Sequence, residues 1–155
     1  MKKFIVLAVL LAGTLSLQAQ EPMFVKGDRV ANLGVGITSW GMVGVSLEQC
    51  LVDGIIDKGS IGAGIYAGAG IRTSGARFVG GVRGTFHYPF IDKFDTYIGI
   101  GGGLQYRYWF NLSNDLWPDV DGFIGARYAF SDKLKLFCEF GASLGWLSAG
   151  ISLNL

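Results

Sequence analysis

Apolar residues recur at every second position through most of the chain. In Ser60–Ile71, one parity holds Ile61, Ala63, Ile65, Ala67, Ala69 and Ile71; the other holds Gly62, Gly64, Tyr66, Gly68 and Gly70. A period of two puts the parities on opposite faces of a β-strand. The pattern predicts eight strands, over 29–38, 43–52, 60–71, 76–88, 95–109, 119–130, 133–143 and 146–155. One face is apolar throughout, as in Leu33, Val35 and Ile37, or Leu134, Leu136, Cys138 and Phe140. The other carries Asn32, Ser46, Glu48, Arg83, Thr85, His87, Gln105, Arg107, Asp121, Arg127, Glu139 and Ser152, with glycines between them.

The connections complete an all-β architecture. Asp53–Gly59, Pro89–Phe94 and Ser131–Asp132 are rich in turn formers. Ser39–Met42, Arg72–Gly75, Asn111–Pro118 and Leu144–Gly145 form the opposite set. Eight strands joined in this way predict an antiparallel up-and-down barrel. Such a narrow barrel is filled by side chains rather than hollow, and glycine makes the room.

Residues 1–20 do not share the pattern. Lys2 and Lys3 precede an apolar run from Phe4 to Leu17, and Ala19 offers a small residue for cleavage. These are the parts of a secretory signal peptide, which leaves residues 21–155 as one barrel domain. No Cys lies at the cleavage point, which disfavours a lipid-anchored lipoprotein. Charged residues are 16% of the chain, against about 25% in soluble domains. A formal net charge of +1 gives no reason to expect nucleic acid. After the signal no run of about 20 apolar residues exists to form a spanning helix.

Export, alternation and low charge together predict a transmembrane β-barrel in a bacterial outer membrane. A soluble lipocalin-like carrier would reverse the polarity, and the mixed face here has too few ionisable groups for a solvated exterior. Starting strand one in the periplasm, as is usual for an even-stranded barrel, places Trp40, Trp109, Trp117 and Trp146 at the outer ends. Tyr88, Tyr128 and Phe130 then lie at the periplasmic ends. These two sets are expected to form interfacial aromatic girdles.

The segment Val82–Tyr106, with Phe86-His87-Tyr88 closing one strand and Asp95-Thr96-Tyr97 opening the next, resembles a barrel family common in Bacteroidota-type bacteria. More broadly, the chain resembles the small outer-membrane barrels of the outer-membrane-protein A and X type. The resemblance implies fold and location rather than an activity. It also implies a client of the barrel-assembly machinery. The chain departs from the usual aromatic last residue by ending in Leu155.

Glu48, Arg83, Arg107, Asp121, Arg127 and Glu139 are expected to form a charge network across the lumen, because buried charge is costly unless paired. Its expected role is structural, with a gate of exchanging pairs as the sharper alternative. His87, the single histidine, is placed inward near the periplasmic rim, bonded to a turn or a neighbouring strand rather than catalytic. Cys50 inward on strand two and Cys138 outward on strand seven are too far apart in strand order to pair. Glycine runs at 62–70 and 99–103 lack the following helix of a phosphate loop. Asn111-Leu112-Ser113 fits a glycosylation sequon, which carries little meaning in a bacterial export setting. No catalytic site, cofactor or metal site is implied. The expected function is a small integral barrel with a structural envelope role, monomeric, and in contact with outer-membrane lipid and lipopolysaccharide. A narrow porin-like channel for small solutes is the alternative, followed by a lipid-modifying enzyme and a soluble carrier.

Overall fold

The computed structural model describes residues 23–110, 114–141 and 144–155. The proposed signal peptide lies outside the described residues, as does the Asn111–Ser113 sequon. Eight strands form one closed antiparallel ring in sequence order. They are β1 (Arg29–Ile37), β2 (Gly41–Ile55), β3 (Gly59–Arg72), β4 (Gly75–Ile91), β5 (Phe94–Trp109), β6 (Asp115–Ala129), β7 (Leu134–Phe140) and β8 (Leu147–Asn154). Closure is made by β1 on β8, in register from Val30↔Asn154 to Ile37↔Leu147; β6 pairs with the short β7 only over Ile124–Ala129.

Both the start of β1 and the end of β8 lie at one end of the barrel, here the terminal end. The opposite end is the distal end. The terminal-end turns are tight: Ile56 and Asp57 both have positive φ (49° and 75°), as does Lys93 (62°) between β4 and β5. Consecutive positive φ angles match the right-handed twist of a hairpin.

Strand limits differ from the sequence reading at several ends; β4, for one, runs on to Ile91, so Pro89–Ile91 is strand rather than turn. β2 runs on to Ile55 through two register shifts after Cys50, so Asp53–Ile55 is strand rather than turn. β6 begins at Asp115, which takes Asp115–Pro118 out of the expected loop. β7 is only seven residues long.

The polarity of the wall is the expected one. Large apolar side chains stand exposed on the outside, among them Ile37 (66%), Ile100 (74%) and Val120 (82%). Asn32, Glu48, Arg83, His87, Asp95, Arg127 and Glu139 are buried inside. The interior is nevertheless more aromatic than the alternation suggests. Tyr66, Tyr97, Phe123 and Phe137 are all buried there. Facing glycines make their space: a Cβ on Gly125 would meet the Tyr97 ring at 2.4 Å, and one on Gly99 the Phe123 ring at 2.3 Å.

Candidate functional site: a filled and charged lumen

The lumen fills in layers. At the terminal end the chain before β1 turns back into the mouth. Phe24 is 1% exposed and packs with Val30 and Cys50. The turn is held by Gly27 N donating to Cys50 O at 3.1 Å and Val25 N donating to the Asp28 carboxylate at 3.0 Å. Lys135 Nζ reaches Met23 O at 3.4 Å. Phe24 has no periodic signal in the sequence, and this cork was not expected.

Beneath the cork lies a cluster of ionisable groups. Arg127 donates to Glu48 at 2.5 Å and stands 3.5 Å from Asp95. His87 bridges the two carboxylates, with Nδ1 2.9 Å from Asp95 and Nε2 2.9 Å from Glu48. Thr85 also donates to Glu48 and lies 3.0 Å from His87 Nε2. His87 thus contacts a neighbouring strand, as expected, and also reaches past β3 to Glu48 on β2. Its ring lies 4.5 Å from that of Phe24. Asp95–His87–Thr85 has the outline of a relay, but all three are buried and Thr85 is spent on Glu48. The His87 ring lies beneath Phe24 and is 1% exposed.

Tyr97 joins this cluster to the next. The Arg127 guanidinium lies 4.6 Å from its ring centre, and its hydroxyl donates to Glu139 at 2.8 Å. Glu139 accepts from Arg83 at 2.7 Å, and Arg83 caps the Phe123 ring at 4.0 Å. Cation–π contact offsets part of the cost of burying both guanidiniums. Asp121 lines a cavity of about 20 Å³ beside Arg83 and Glu139. That is room for about one water molecule.

Toward the distal end, Tyr66 donates to Asp119 at 2.7 Å, and Arg77 lies 3.7 Å from Asp119. Trp40, Met42, Tyr66 and Val79 pack together, with Trp109 and Leu144 against them. A separate ladder crosses the β8–β1–β2 wall: Ser152 donates to Asn32 at 2.5 Å, and Asn32 to Ser46 at 2.8 Å.

Of the six charges expected to form one network, four meet as two pairs, Glu48–Arg127 and Arg83–Glu139. Asp121 lies beside the second pair. Arg107 lies apart, in a distal vestibule with Arg77 and Asp119. His87, Asp95, Asp119, Lys135, Tyr66 and Tyr97 were not assigned to the network. Parity places them inside: Asp95 and Tyr97 alternate with outward Ile98 and Ile100, and Asp119 shares its face with Asp121. Long-range partner choice has no signal in a single strand.

The distal tryptophan girdle needs correcting. Trp40 is 6% exposed and Trp109 is half-buried, with their rings 5.5 Å apart inside the mouth. Trp109 lies on the lumen parity of β5, and Trp40, in the turn before β2, continues the lumen parity of Met42 and Gly44, which overrides the interfacial preference of the ring. Trp146 lines the vestibule, and only Trp117 and Trp146 are exposed. The outward aromatics at this end include Phe78, Tyr106, Tyr108 and Phe110. At the terminal end Tyr128 and Phe130 are exposed, and Tyr88 stacks on Phe90 outside. Cys50 is buried in the mouth and Cys138 is exposed on the outer wall; both are free.

No protein-family model matches the sequence, and no curated protein matches it. Solved structures do. The N-terminal β-barrel domain of Pseudomonas aeruginosa OprF superposes with a TM-score of 0.64 at 13% identity, over 84% of this chain and 98% of that one. A de novo designed transmembrane β-barrel superposes with a TM-score of 0.57 at 18% identity, over 89% of this chain and 100% of that one. At these identities the likeness is one of fold: this chain has the eight-stranded architecture of transmembrane β-barrels.

Proposed function

We propose that the chain is a small integral outer-membrane barrel with a sealed polar lumen and a structural role in the envelope. The observation that carries the reading is the reversal of polarity between the two faces of the wall. Ile100 and Val120 stand in the open, while Arg127 is completely buried. In water that exposed belt is a large apolar liability; in lipid it is the favoured surface. The likeness to the OprF barrel domain and to the designed transmembrane barrel supports the same environment. Residues 1–20 are the export signal in this reading, and kinship lies with the outer-membrane-protein A and X type barrels of Bacteroidota-type bacteria. The barrel is monomeric, touches lipid and lipopolysaccharide through its belt and rims, and is assembled by the barrel-assembly machinery. The terminal end faces the periplasm.

Fractionation of cells producing the full chain tests this. The protein is expected with the outer membrane, resistant to carbonate extraction and of heat-modifiable gel mobility. A soluble periplasmic product would overturn the reading in favour of a carrier. The second reading is a narrow channel. It is favoured by the cavity of about 20 Å³ beside Arg83, Asp121 and Glu139, where exchange of ion-pair partners would let water pass.

A further inference from the structure

The distal vestibule holds two arginines, of which Arg77 faces Asp119 at 3.7 Å. Arg77 on β4 and Arg107 on β5 are direct cross-strand partners on the inner face. Both line a cup of about 410 Å³ whose wall also includes Thr38, Gln105, Trp146 and the Asp119 carboxylate that faces Arg77. The cup is blind, because Trp40 lines it and is packed beneath against Met42, Tyr66 and Val79.

Like charges at directly opposed positions repel, so this placement has a cost unless a counter-ion spans it. The nearby carboxylates are largely engaged. Asp119 accepts from Tyr66 and faces Arg77 at 3.7 Å. Asp115, cross-strand from Arg107, accepts from Trp109 Nε1 at 3.2 Å. Among the described residues no carboxylate lies within ion-pair distance of the Arg107 guanidinium. That leaves a planar fork of donors in a polar cup open at the distal end, beside the Gln105 amide. Such a fork matches the oxygens of a phosphoryl group in two parallel hydrogen bonds.

We propose that this cup binds a phosphoryl group, with Arg107 as the principal contact and Arg77 and Gln105 beside it. The site needs only the barrel and its mouth, so it stands whether or not the lumen conducts. The phosphoryl group belongs either to a small solute or to a lipid headgroup at the rim.

The test uses the folded full chain in maltoside micelles, which contain no phosphate. Inorganic phosphate is titrated at constant ionic strength while tryptophan fluorescence is read, since Trp40 and Trp146 line the cup. A saturable change is expected, weakened about tenfold or more in Arg107→Gln, as for loss of one charge-assisted contact. Arg107→Lys keeps the charge and loses the fork, and is expected to fall between. Lys58→Gln, in a terminal-end turn, is expected to bind as the unaltered chain does. Repeating the titration in phosphatidylglycerol vesicles separates the sources: weaker phosphate binding there assigns the site to lipid headgroups, and unchanged binding to a free solute. No saturable change, or equal affinity in both Arg107 variants and the unaltered chain, overturns the proposal.

Discussion

Arg127 on β6 and Glu48 on β2 meet across the barrel at 2.5 Å, and neither side chain retains any exposed surface. Three strands, β3 to β5, lie between them in the ring, so the contact exists only once the sheet has curled around the lumen. The pair therefore reports curling of the sheet rather than formation of any hairpin.

Removing one member should cost more than removing both. Glu48→Gln or Arg127→Met alone leaves a buried charge without its partner, at about 3–5 kcal/mol. The double replacement Glu48→Met with Arg127→Met exchanges the pair for apolar volume and should lose less than the sum. Urea midpoints followed by heat-modifiable gel mobility read this directly. Strict additivity would mean the two groups do not act as a pair.

Phe24 should behave as a local cork. Phe24→Ala removes the ring that packs on His87, and the segment before β1 should leave the mouth. Amide exchange at Gly27, whose N–H is held by Cys50, should then accelerate well beyond that of β4 and β5. The urea midpoint should move little, since the ring of strands is unaffected. Unchanged exchange at Gly27 would show that the segment is held by something else.

The two faces of the wall should respond oppositely to the same substitution. Gly125→Val places side-chain atoms against the Tyr97 ring, which a Cβ alone already meets at 2.4 Å. Overpacking of this kind costs about 1–3 kcal/mol, and it displaces the ring that links the two charge pairs. Gly102→Val points outward into open space and should be neutral or slightly stabilising, because valine suits a strand better than glycine. A larger loss from Gly102→Val would mean that the outer wall is covered.

Depth in the membrane should set the cost of an outward charge. Ile100 lies near the middle of β5 and is 74% exposed; Ile37 ends β1 at the distal rim. Arginine at the midplane of a barrel's lipid face costs about 2–4 kcal/mol, and near an interface about 0–1 kcal/mol. Ile100→Arg should therefore lower folding stability in vesicles far more than Ile37→Arg. Equal costs would place both residues in water.

The strands and their two faces were legible because a period of two survives in any buried or lipid-facing wall. Ile61 to Ile71 shows it without interruption. The same parity rule, applied to Trp40 and Trp109, points inward; the general preference of tryptophan for interfaces argued the other way. Packing decided it, through Met42, Tyr66 and Val79. The pairing of Glu48 with Arg127 rather than with Arg83 was not legible, because it depends on shear and on the reach of each side chain. Phe24 was not legible at all. Its burial depends on a turn set by Asp28 and Gly27 before the alternation begins.

A lumen filled in this way should let the barrel cross the membrane without conducting. Folded full-length chain, checked by heat-modifiable mobility, should be inserted into planar lipid bilayers and its current recorded under an applied voltage. No steady conductance is expected. A steady, voltage-tolerant conductance that falls in Arg83→Gln or Glu139→Gln would contradict that expectation and make the lumen a pore.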